Sequence, residues 1–147
     1  MDHTEYQSAV LTVLDGATTA SSACVAAIHR ATVNAGADVL IEVFVDQDVE
    51  GPFSVWVRFE GDHAVALDRE LGDERELFSV IWGEEGWEPP VPPRPAGWSR
   101  QRLTEAIVAA VAAWVGPLIP AGTPAVHWEV APHDGIVDGI AVGPVTA

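Results

Sequence analysis

Apolar positions near the start of the chain recur at helical spacing: Tyr6, Val10, Val13 and Leu14 share one stripe between Thr4 and Leu14. Asp15-Gly16 interrupts that segment, and a second helical stretch is predicted from Ala17 to Val33, with Cys24, Val25, Ile28 and Ala31 as its buried stripe and Asn34-Ala35-Gly36 as its stop. One bent helix and a short helical hairpin both satisfy this pattern. The period then changes to two. Val39, Ile41, Val43 and Val45 point one way and Leu40, Glu42, Phe44 and Asp46 the other. Phe53, Val55, Val57 and Phe59 repeat the alternation, so Asp46 to Pro52 reads as the loop of an antiparallel hairpin. The wholly apolar face of each strand is expected to meet the helices.

Further strands are predicted at Ala64 to Asp68 and at Leu77 to Trp82, with the charged run Asp68 to Glu76 between them as a solvated loop or a single helical turn. Gly83-Glu84-Glu85-Gly86 before Trp87 reads as a tight hairpin turn. Prolines 89, 90, 92, 93 and 95 make residues 88–97 an extended connector unable to donate to a sheet ladder. Ser99 is the expected N-cap of a helix to about Val115, striped by Leu103, Ile107, Val111 and Trp114. Ala125 to Val130 and Ile136 to Val142 complete the pattern as two strands. The order implies α+β: N-terminal helical segments, a mainly antiparallel meander of about four to six strands, and one long helix in the C-terminal half packed on the sheet. At 147 residues a single domain, 1–147, is expected, with 88–97 internal to it.

Composition adds an acidic skin to this core. Twenty-two Asp and Glu face seven basic residues, all Arg, for a formal net charge of −15, while 48% of residues are hydrophobic, too many for a disordered chain. Phosphate backbones and anionic lipid surfaces repel such a molecule, so nucleic acid and membrane are poor partners and a basic protein is a good one. No apolar run approaches the length of a membrane span, and the N-terminus lacks the pattern of a signal peptide, which makes the cytoplasm the expected location. The lone Cys24, in an Ala-rich setting, reads as a small buried hydrophobe.

Catalytic chemistry finds little support. No Gly-x-Ser-x-Gly elbow occurs, and the absence of Lys rules out a Walker-type phosphate loop, so no cofactor is expected. Asp46, Asp48 and Glu50 before Gly51 match the first half of a calcium loop, but Val57 stands where its bidentate Glu belongs. His127 and Glu129 share one strand face, with His133 in the following turn, a possible metal or general-base set. Pro89-Pro90-Val91-Pro92-Pro93-Arg94 satisfies a minimal SH3-ligand pattern, though Trp87 and Trp98 bracket it and favour a rigid internal connector. Six Trp beside one Tyr are unusual, and Trp56 stands on the more polar face of its strand, where an indole can anchor a partner. Trp82, Trp87 and Trp98 are expected to cluster. Ten of the 22 acidic residues lie between Glu60 and Glu88 among only two Arg.

The stretches Val43-Phe44-Val45-Asp46-Gln47-Asp48-Val49-Glu50-Gly51-Pro52-Phe53 and Trp82-Gly83-Glu84-Glu85-Gly86-Trp87-Glu88-Pro89 resemble those of small uncharacterised actinobacterial proteins, a resemblance that implies no activity. The order of elements in an acidic chain also resembles the small dimeric chaperones of bacterial type III secretion, on order and charge alone. The expectation is a non-enzymatic binding protein that engages another, basic protein through Trp56, Glu84, Glu85 and Trp87, in an immunity-like or chaperone-like role, with a homodimer compatible. The alternative is a small enzyme or ligand-binding domain with a pocket between sheet and helices, using His127, Glu129 and His133.

Overall fold

The computed structural model describes residues 2–46, 50–120 and 127–142, and the protein is α+β. Helix α1 (His3–Asp15) begins in a capping box: the Asp2 carboxylate accepts from the Glu5 N–H and the Glu5 carboxylate from the Asp2 N–H. Helix α2 (Thr18–Ala35) follows as a separate helix at a bend of 78°, a corner between two helices and neither one continuous helix nor an antiparallel hairpin. Gly36 ends α2 at φ 67°, a left-handed conformation that glycine adopts without a Cβ clash. The buried stripe of α2 is Ser21, Val25, Ile28 and Thr32; Cys24 and Ala31, expected in it, are half-buried.

Strands β1 (Asp38–Val45) and β2 (Phe53–Glu60) form the expected antiparallel hairpin, with Ile41 opposite Val57 and Glu42 opposite Trp56. The expected succession of strands is then interrupted by a helix. Residues Ala64 to Asp68 are not a strand but the start of helix α3 (Ala64–Leu71), whose Leu67 and Leu71 are buried while Val65 is exposed. The charged run beyond Asp68 is the rest of that helix and a 3-10 turn over Gly72–Arg75, not a loop. Leu77 to Trp82 is not one strand either. It divides into β3 (Glu76–Phe78), which joins β2, and β4 (Ile81–Gly83), which forms a separate hairpin with β5 (Gly86–Glu88). Ser79 marks the break, its hydroxyl donating to the Glu76 carboxylate.

The connector packs back on the body, with the Arg94 N–H donating to the Glu50 carbonyl and the Tyr6 hydroxyl to the Pro92 carbonyl. Helix α4 (Arg100–Val115) starts at the predicted cap, where Ser99 Oγ accepts from the Arg102 N–H; at 16 residues it is shorter than the 18-residue α2. Strand β6 (Trp128–Pro132) lies parallel to β1, and β7 (Ile140–Val142) pairs antiparallel with β6. The main sheet has five strands in the order β3-β2-β1-β6-β7 and is mixed: the parallel β1–β6 pairing departs from the expected mainly antiparallel meander, while its other pairings are antiparallel. Of the predicted tail strands, residues 125 and 126 lie outside the described residues, and 136–139 are not strand.

One face of the sheet supplies Val39, Ile41, Val43, Val55, Val57, Phe59, Trp128 and Val130 to a core shared with α1, α2 and α4. This burial supplies the main drive for the fold. The opposite face carries Leu40, Phe44, Ser54, Trp56, Arg58 and Glu129, all half-buried or exposed, around a buried Glu42. Among the described residues no single helix is long and apolar enough to cross a membrane.

Candidate binding face

Alternation fixes what the outer face presents. Because side chains of a strand point up and down in turn, burying Ile41 and Val57 inward forces Glu42 and Trp56 outward as cross-strand neighbours. Glu42 is only 9% exposed, since it sits on the central strand between β2 and β6. Two basic side chains face it. His133 Nδ1 lies 2.9 Å from Glu42 Oε2, and Arg58 Nε lies 3.6 Å from Oε1. The His133 ring also stacks on Phe44, with centroids 4.4 Å apart. On the other side of Trp56, Arg75 places its guanidinium 5.9 Å from the indole centroid and 3.6 Å from Asp68 Oδ1.

These side chains border a concave depression of about 390 Å3 between Phe44, Trp56 and the Asp68–Arg75 edge. A second depression, of about 330 Å3, adjoins it through Phe44 and Ser54 and is closed by Val80 and Trp87. Trp56 and Trp87, far apart in sequence, thus line neighbouring hollows of one face. From there the β4–β5 hairpin presents Trp82, 69% exposed, edge-on to Trp87 with centroids 4.7 Å apart. Glu84, Glu85 and Glu88 on the same hairpin are exposed. Trp98, expected to join Trp82 and Trp87, is instead buried against Tyr6, with Arg102 over its ring. Trp114 and Trp128 are core residues.

The metal-like candidates do not converge among the described residues, where no group of three His, Cys, Asp or Glu could hold an ion. His127 Nε2 and Glu129 Oε1 stand 4.0 Å apart on the outer face, while His133 is engaged with Glu42. Asp48 lies outside the described residues. The Asp46 carbonyl accepts from the Arg100 guanidinium, which brings a cation beside that loop, and the Glu50 carbonyl accepts from the Arg94 backbone N–H. Arg100 also reaches the Val45 carbonyl and Asp134, pinning the 133–135 turn to the end of β1. The Cys24 thiol is pushed up by burial and then by the Glu74 carboxylate, which disfavours the thiolate a nucleophile needs.

Sequence reasoning picked out Trp56, Glu84, Glu85 and Trp87 but missed Glu42, Phe44, Arg58, Arg75 and Asp68. The signal for Glu42 was present: one carboxylate in an otherwise apolar central strand. Arg75 and Asp68 carried no such signal, because their approach to Trp56 depends on α3 being a helix.

The sheet thus packs one face on the helical core and carries an aromatic, charge-paired hollow on the other. The chain matches DUF6389, a family of unknown function, over residues 1–146, and it belongs to that family. No curated protein and no solved structure matches it.

Proposed function

We propose that this protein is a non-enzymatic acidic binding protein that engages a basic protein through the β4–β5 hairpin and the adjoining outer face of the sheet. The observation that carries the reading is Trp82, 69% exposed in strand β4 of a hairpin that also exposes Glu84, Glu85 and Glu88, beside the hollows lined by Trp87 and Trp56. An indole held in water costs free energy that a partner recovers, and a ring of like charge selects a partner of the opposite sign. Net charge of −15 extends that selection over the whole molecule and speeds encounter. An immunity-like or chaperone-like role needs only such a rigid, complementary surface.

Capture from the native cell extract tests it, with wild-type protein run beside a Glu84→Lys, Glu85→Lys double variant. A basic companion is expected on the wild type alone, with its association slowed about tenfold or more in the variant and losing much of its salt dependence. A companion held equally by both proteins sinks the reading.

A further inference from the structure

The hollow beside Trp56 offers a more specific chemistry than the hairpin. Its volume of about 390 Å3 has room for a side-chain head group, and Trp56 and Phe44 give it aromatic walls. Each carboxylate in it has one oxygen only loosely held by an arginine, the other oxygen of Glu42 lying 2.9 Å from His133 Nδ1. Arg58 stands 3.6 Å from Glu42 and Arg75 3.6 Å from Asp68, whereas a charge-assisted hydrogen bond closes to about 2.7–2.9 Å. Asp68 Oδ1 is buried and accepts no hydrogen bond. Arg58 is half-exposed, so its pairing contributes little and yields readily to a better donor. Arg75 sits near the outer limit of a cation–π contact with Trp56.

The charge of the whole molecule decides the sign of the ligand. The hollow itself is lined by two carboxylates, Glu42 and Asp68, and two guanidiniums, Arg58 and Arg75, with Glu60 beyond Arg58, but the chain carries a surplus of fifteen negative charges. An anion entering toward Arg58 would meet this surplus; a cation would be drawn by it. A flat cation with paired in-plane donors can stack on the indole and meet a carboxylate with two parallel hydrogen bonds, a geometry that an ammonium does not offer.

We infer that this hollow receives a guanidinium group, an arginine side chain of the basic partner, laid on Trp56 and hydrogen-bonded to Glu42 or Asp68. The source of the arginine rests on the proposed function; the affinity for guanidinium does not. Titration with Nα-acetyl-arginine amide, followed by NMR at the Trp56 indole N–H assigned through Trp56→Phe, tests it directly. A saturable shift is expected, weakened at least fivefold or so by Asp68→Asn and by Glu42→Gln. Asp68 stands at the edge of the sheet, so its variant remains informative if Glu42→Gln fails to fold. Saturation by benzoate in place of the arginine probe, a response indifferent to both substitutions, or no response from either probe would overturn the inference. The Glu84→Lys, Glu85→Lys variant should keep its arginine response. Failure of the capture experiment with that response intact removes the hairpin reading and leaves the guanidinium site standing.

Discussion

Ser21 shows how one hydroxyl can tie two distant parts of the chain. Its Oγ donates to the Leu77 carbonyl at 2.6 Å, within the buried contact between α2 and β3. Ser21→Ala leaves that carbonyl without a partner and should cost about 1–2 kcal/mol in chemical denaturation, with an unchanged m-value. Tyr6 provides a test by pH. Burial pushes its phenol up to about 12 from an ordinary value of 10, so the folded state keeps a proton that the unfolded state releases first. The stability this contributes is complete below pH 10 and is lost as pH rises from 10 toward 12. Tyr6→Phe should flatten the alkaline fall in stability over that window, while the hydroxyl's hydrogen bond to Pro92 makes the variant weaker at neutral pH.

At the scale of elements, the β1–β2 hairpin and the connector hold each other in place. Gly51 has φ 132°, and a Cβ there would stand 2.6 Å from the Pro92 carbonyl oxygen, a backbone atom that cannot swing aside. Gly51→Ala should therefore destabilise by about 2 kcal/mol or more, seen as a lowered denaturation midpoint. The sequence was most legible where periodicity ran long: β1, β2 and α4 lie where alternation and the Ser99 cap placed them, and Gly83–Gly86 turns as its glycines require. Ala64–Asp68 reads as a strand yet is helical, because the short apolar run that opens it has no period of its own. The informative pair was Leu67 and Leu71, one helical turn apart, and it was masked by the charged residues between them. The hollow at Trp56 was half legible for the same reason. Alternation exposed Trp56 and Glu42, but α3 supplies the Asp68 wall.

For the molecule as a whole, 22 carboxylates on a small body repel one another, and salt should relieve that repulsion. The thermal midpoint is expected to rise by several degrees between about 10 mM and 300 mM sodium chloride, as the screening length contracts from about 30 Å to below 10 Å. A midpoint that falls with salt would mean that ion pairs such as Arg100–Asp134 outweigh the surplus charge. The parallel pairing of β1 with β6 had no signal in either strand, since register across so long a separation is set by packing on α4. That pairing also orders events during synthesis. While the nascent chain emerges, β1 has β2 on one side and an open row of backbone donors and acceptors from Val39 to Val43 on the other, until β6 is translated and seated. A polypeptide stopped after residue 120 would keep that apolar edge, and its fate should be self-association or capture by a holdase.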